Sequence, residues 1–233
     1  MYKNKTFLAI IPARGGSKRL PKKNILNLTG KPLISWSIEA ALKSKYIDKI
    51  IVSSDDDEIL QIANKYNDVE TIVRPKELAT DTATTIDVLI HTIKQQQKYD
   101  YVVLLQPTSP LRNEKHINEA IELLEKKNAD AVISVCEIEH SPLWSNTLPN
   151  DLNMQNFLKD DLKNTRSQDL EIYYRLNGAI YICKIEKLLK ENTLFLKENT
   201  FAYIMDQENS IDIDKKIDFK LAEILLKETQ NYS

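Results

Sequence analysis

The 233-residue chain has two cysteines, Cys136 and Cys183, and both fall inside apolar, strand-like runs. Two such cysteines predict buried thiols in a reducing compartment rather than a disulfide framework. Long hydrophobic runs are missing too: no stretch approaches the roughly 20 apolar residues that span a bilayer. The opening MYKNKTFLAI is too short for a secretory leader. Excess charge is also lacking, since the net charge is −2, so no global basic field supports a nucleic-acid partner. These absences predict a soluble cytoplasmic globular protein with no membrane and no nucleic acid among its partners. Glycine is scarce, four in all, yet two of the four stand side by side at positions 15 and 16.

What is present is an alternation of short apolar and longer amphipathic segments. FLAIIPA (7–13), KIIVSS (49–54), VETIV (69–73), YVVLLQ (101–106), AVISVC (131–136) and GAIYIC (178–183) read as strands. Their near-continuous hydrophobicity suits strands covered on both faces. Between them PLISWSIEAALKS, DDEILQIANKY, TTIDVLIHTIKQQQ and EKHINEAIELLEKK carry helical periodicity, and KKIDFKLAEILLKE closes the chain. Alternation with short links predicts an α/β, doubly wound, mostly parallel sheet in one domain, 1–233. The pattern breaks over 137–176, which contains Pro142, Trp144 and Pro149 and reads as an inserted arm. Ligands of such sheets bind at the carboxyl ends of strands.

Three motifs follow predicted strands or precede the last helix. IPARGGSKRLPKKN packs Arg14, Lys18, Arg19, Lys22 and Lys23 around Gly15 and Gly16, straight after the first strand. Glycines let a backbone approach a ligand, and the cations point to an anion there, although a solvated basic loop has the same composition. The spacing fits neither a Walker A loop nor GxGxxG. LLQPTSPLR places a Gln, two hydroxyls and an Arg after the fourth strand, where two prolines alone would also make a turn. In NSIDIDKKID, Asp212 and Asp214 alternate with Ile211 and Ile213, which puts both carboxylates on one face of an extended segment. Such a pair suits Mg²⁺, while acids before a helix also serve as caps. Jointly the three describe nucleotidyl transfer, in which cations and a metal balance phosphate charge.

IPARGGSKRLPKKN, RPKELATDTATT, LLQPTSPLR, RLNGAIYI and SIDID occur in this order along the chain. With them the chain resembles, over essentially its whole length, the acylneuraminate cytidylyltransferases, or CMP-sialic acid synthetases, including legionaminate and pseudaminate cytidylyltransferases. The resemblance implies a nucleotide-diphospho-sugar transferase-like fold and a homodimer built through the arm. It implies transfer of CMP from CTP to the anomeric hydroxyl of a nine-carbon 2-keto sugar acid, releasing pyrophosphate, with Mg²⁺ as cofactor and Mn²⁺ able to substitute.

By matching positions, Lys23, Arg14 and Asp212 are the implied catalytic residues. Arg14, Gly15, Gly16, Ser17, Lys18, Lys23, Asn24, Arg74 and Thr85 are implied for the nucleotide. Gln106, Thr108, Ser109, Arg112, Arg175 and Asn177 are implied for the sugar acid, and Asp212 and Asp214 for the metal. Leu176 stands where several relatives carry Pro. Enzymes for the eight-carbon acid KDO carry a QGDEP-like sequence where this chain has QPTSP. Another sugar nucleotidyltransferase, or a non-catalytic nucleotide-binding module, are the remaining alternatives.

Overall fold

The computed structural model describes residues 1–162, 165–166 and 169–231. The chain begins with β1 (Phe7–Pro12), in which Phe7 through Ile11 are fully buried. Burying such side chains stabilises by about 1.5–3 kcal/mol each, so this strand anchors the core. A two-stranded hairpin, β2 (Asn27–Leu28) and β3 (Lys31–Pro32), leads into α1 (Leu33–Lys43). Then come β4 (Lys49–Ser54), α2 (Asp57–Ala63), β5 (Val69–Val73), α3 (Thr85–Lys94) and β6 (Tyr101–Leu104). The second half contains α4 (Glu114–Lys127), β7 (Ala131–Glu137), β8 (Tyr174–Lys184), α5 (Ile185–Glu191), β9 (Thr200–Met205) and α6 (Lys216–Asn231).

Seven strands form one sheet in the order β5-β4-β1-β6-β8-β7-β9. β8 runs antiparallel to both neighbours, and the other strands share one direction. α1, α2 and α4 pack on one face around Ile38, Ile59 and Ile121, while α3 and α5 cover the other around Leu89 and Leu188. The mostly parallel, doubly wound sheet is therefore as the sequence predicts. The chain steps from β1 outward to β5, then returns to place β6 on the other side of β1. The loops after β1 and β6 therefore diverge and leave a crevice at their carboxyl ends.

The elements differ from expectation in two places. β8 extends back to Tyr174 and pairs Glu137 with Tyr174 and Val135 with Leu176, so the irregular insertion narrows from 137–176 to 138–173. Leu176 thus sits in a ladder, which fixes the backbone that a proline would otherwise constrain. β9 was not expected: it is an edge strand in which Phe201–Met205 is apolar throughout, with side chains that alternate between core and solvent. Both cysteines are buried and free, and burial pushes the Cys183 thiol up to about 12. Among the described residues no helix is long and apolar enough to cross a membrane.

Candidate active site

At the carboxyl ends of β1, β5 and β6 lies a cavity of about 540 Å³. Four loops wall it: the glycine turn after β1, the segment between β5 and α3, the Gln106–Thr108 turn after β6, and the Asp212–Asp214 segment before α6. Arg14, Ser17, Lys18, Lys23, Asn24, Arg74, Thr85, Gln106, Thr108, Asp212 and Asp214 all line it. Residues far apart in sequence thus meet at one place.

The glycine turn is shaped from behind. Asp56 caps α2 by accepting bonds from the N–H groups of Glu58 and Ile59 at 2.9 and 3.2 Å. A Cβ on Gly15 would come within 2.5 Å of that carboxylate, and the Gly15 N–H donates to Asp55 Oδ1 at 3.0 Å. Gly15 is therefore glycine so that the turn can seat on the α2 cap, and its N–H is already engaged. A Cβ on Gly16 would meet nothing within 4 Å. Gly15 and Gly16, expected at the nucleotide, lie between Arg14 and Ser17, which line the cavity, but do not line it themselves. The Asn24 amide donates to the Arg14 carbonyl at 2.9 Å and closes the turn.

Two carboxylates face the cations across the cleft. Asp81 pairs with Arg14 at 3.0 Å and Lys18 at 2.5 Å, and these cations, Lys18 first, hold its carboxyl below the usual range. Asp214 pairs with Arg19 at 2.6 Å and Lys23 at 3.4 Å. The pairs made by Arg14, Lys18 and Arg19 are solvent-exposed and weak, so an entering phosphate chain can displace them readily. Arg74 is buried and donates to the Ser53 carbonyl at 2.7 Å; burial lowers its pKa. Thr85 opens α3 and lies within the Thr84–Asp87 capping box.

The acidic segment has the predicted alternation. Ile213 is fully buried against α6 and its N–H donates to the Thr108 carbonyl at 2.8 Å, leaving Asp212 and Asp214 on the cavity side. Capping falls instead to Asp218, which accepts from the N–H groups of Asp214 and Lys215 at 2.9 and 2.6 Å. Burial raises the Asp212 carboxyl, as do Asp214 and Asp218; the Thr108 hydroxyl and Lys23 oppose them. Among the described residues no cluster of three or more His, Cys, Asp or Glu side chains stands ready for a metal. Two carboxylates alone fit Mg²⁺, which keeps several waters and takes its other oxygens from phosphates.

Gln106 stands at the junction of this cavity with a smaller one of about 170 Å³, walled by Tyr181, Phe195, Leu104 and Thr85. The rings of Tyr181 and Phe195 meet edge-on at 6.0 Å. Gly178, at φ +74°, makes room: a Cβ there would sit 2.9 Å from Gln106 Oε1. Asp81, Tyr181 and Phe195 carried no sequence signal of their own, although Asp81 lies in the DTATT stretch.

Four residues expected at the sugar acid are placed differently. Ser109 is fully buried, with Oγ 3.5 Å from the Asn177 carbonyl. Asn177 is buried and accepts from Ser134 Oγ at 2.6 Å while donating to Ser210 Oγ at 2.9 Å. Arg112 is buried beneath Gln106, donating to Ser37 Oγ and to carbonyls of Gln106 and Ala179. Arg175 lies outside the cavity lining and pairs with Glu139 of the insertion at 2.9 Å. Ser109, Arg112 and Asn177 are thus scaffold, and Arg175 ties the insertion to the sheet.

A family model described as Cytidylyltransferase matches residues 8–232. The chain is 40% identical to the CMP-N,N'-diacetyllegionaminic acid synthase of Legionella pneumophila, covering 96% of this chain and 97% of that one. It is 37% identical to the pseudaminic acid cytidylyltransferase of Campylobacter jejuni, covering 94% and 96%. It is 38% identical to the N-acylneuraminate cytidylyltransferase of Escherichia coli, where 96% of this chain spans 52% of the relative. Among solved structures, a CMP:2-keto-3-deoxy-manno-octonic acid synthetase complexed with CTP superposes with a TM-score of 0.73 at 17% identity, covering 96% of this chain and 99% of that one. A 4-diphosphocytidyl-2C-methyl-D-erythritol synthase from Anaerococcus prevotii gives 0.68 at 18%, covering 96% of each. Identities this low show a shared fold alone.

Proposed function

The chain belongs to the cytidylyltransferase family, and from that premise we propose that it moves CMP from CTP to the anomeric hydroxyl of a nine-carbon 2-keto sugar acid. One observation carries the reading: Lys23, Arg14, Lys18, Gln106, Asp212 and Asp214 converge on one cavity from three separate loops. The sugar hydroxyl attacks the α-phosphorus and releases its proton to solvent, and the bond from that phosphorus to the β-phosphate bridging oxygen breaks. Pyrophosphate leaves with that bond's electron pair. Arg14, Lys18 and Lys23 balance the charge that develops on it, while Arg74 and Thr85 border the nucleoside. Gln106 offers amide donors to the acid, and the Tyr181–Phe195 pocket suits an apolar substituent such as an acyl methyl. Asp212 and Asp214 would hold Mg²⁺, or Mn²⁺ in its place, and the metal would neutralise phosphate charge when bound.

The relatives named for nine-carbon acids are alike in sequence over nearly the whole of this chain, whereas the octonic acid synthetase is alike in fold only. The test is pyrophosphate release with CTP, Mg²⁺ and a panel of N-acetylneuraminate, legionaminate and pseudaminate. One acid of the panel is expected to turn over. CTP should exceed UTP by at least about a hundredfold in kcat/KM, because a site bonded to the cytosine amino group leaves buried partners unpaired with uracil. Equal use of UTP, or turnover of a sugar phosphate instead of an acid, overturns the reading.

We also propose a homodimer and a cytoplasmic location, where CTP is available. The insertion and its base expose Leu148, Leu152, Met154, Ile172 and Tyr174, a set of apolar side chains that a partner subunit would cover. Light scattering is expected to give twice the chain mass at micromolar concentration. A monomer there, or a dimer undisturbed by Ile172→Asp with Leu152→Asp, counts against assembly through the insertion.

A further inference from the structure

Arg112 is 1% exposed, and among the described residues its guanidinium has no carboxylate partner. Burial draws it down to about 9, so it remains a cation at neutral pH. A buried cation without a counter-ion is destabilising in itself, and its bonds show what holds it there. β6 and β8 pair through Leu104 and Tyr181, and there the ladder stops. Extending that register by two residues sets Gln106 opposite Ala179. Both carbonyls at this next position accept from Arg112, the Gln106 oxygen from Nη2 and the Ala179 oxygen from Nε, each at 3.3 Å. Two carbonyls cannot bond each other, and the guanidinium supplies the missing rung.

The Gln106 carbonyl is held three times, once by the Ser109 N–H, which donates to it at 3.3 Å. Ser37 Oγ on α1 donates to it at 3.2 Å and itself accepts from Arg112 Nη2 at 2.6 Å, so three groups close a triangle. Pro107 follows directly and restricts the Gln106 backbone from the other side. The side chain on that fixed backbone reaches the junction of the two cavities, in the space Gly178 leaves open.

We propose that Arg112 is a positioning residue for the acceptor: it locks the Gln106 backbone, and through it the amide that meets the sugar acid. The proposal rests on the cytidylyltransferase reading for its kinetic consequence, although not for its structural one. Because Arg112 acts through Gln106, its loss should change use of the acid and leave CTP untouched.

The test is a double-mutant cycle on Arg112→Lys and Gln106→Ala, with Ser37→Ala as a second, milder break of the triangle. Arg112→Lys keeps charge and loses the fork. Its kcat/KM for the acid should fall about tenfold, with KM for CTP changed less than about twofold, as for loss of one charge-assisted bond. Adding it to Gln106→Ala should cost little more than Gln106→Ala alone. Additive losses, or equal losses for CTP and acid, overturn the proposal. A crystal structure of ligand-free Arg112→Lys decides independently of turnover: Gln106 should leave its wild-type place while Asp212 stays. Gln106 unmoved defeats the proposal even in an active enzyme. A wild-type chain that releases no pyrophosphate defeats the cytidylyltransferase reading instead.

Discussion

Asp212→Asn is expected to abolish turnover and, in the same preparation, to raise the melting temperature of the metal-free chain. The two effects have one cause. In the folded chain the Asp212 carboxyl is raised, first by burial and then by Asp214 and Asp218. Between its ordinary value of 3.8 and the raised one, the native state binds more protons than the unfolded state. Stability therefore falls as pH rises through that window, and the deficit persists above it. Asn keeps the shape and an acceptor for the Thr108 hydroxyl but carries no charge, so the deficit disappears. Each kcal/mol relieved should raise Tm by about 2–4 °C for a chain this long. The gain should be present at pH 7 in chelator and close as pH drops below the ordinary carboxylate range.

Turnover moves the opposite way. With one of two acidic oxygen donors lost, kcat should fall by about 100- to 1000-fold or more. A calorimetric scan with a pyrophosphate-release assay checks both halves. Near-normal kcat at millimolar Mg²⁺ sinks the metal assignment. A lower Tm would show instead that the carboxylate supports the fold.

Much of this was legible in the sequence because each motif follows a strand or precedes a helix whose pattern is strong. β1 and β4 are covered on both faces and read as apolar runs, so the turns beyond them fall at one edge of the sheet. Apolarity did not tell which side of β9 faces the core: as an edge strand it exposes Ile204 and buries Met205, although both are apolar. At the site, residue type and spacing told that Asp212 and Asp214 share a face, since alternation is a local property. They did not tell whether Arg112 or Ser109 faces cavity or core, because that depends on β8, some 70 residues on. Gly15 was legible as a turn but not for its reason, which is the packing of Asp56 against it.

Lys23 poses the second large prediction, because its surroundings separate it from the other cations. Its side chain is 11% exposed, against 40% for Arg14 and 82% for Lys18. Lys22, at φ 55°, enters the left-handed region and starts the short turn Lys23–Ile25 that carries Lys23 inward. There its ammonium donates to the Ile213 carbonyl and lies 3.4 Å from Asp214 Oδ1. A charge so shielded is screened less by salt than one on the rim. Lys23→Met should therefore lower kcat by about 100- to 1000-fold, whereas Lys18→Ala should lower kcat/KM for CTP by about tenfold or less. The Lys18 effect should shrink between low and high salt, and the Lys23 effect should not. Lys23→Arg should rescue little, because a planar fork does not fit a slot that holds one ammonium between a carbonyl and a carboxylate. Steady-state kinetics at two ionic strengths decide the matter. If Lys23→Met raises KM for the sugar acid and leaves kcat unchanged, Lys23 serves the acceptor, and the leaving pyrophosphate falls to Arg14 and Lys18.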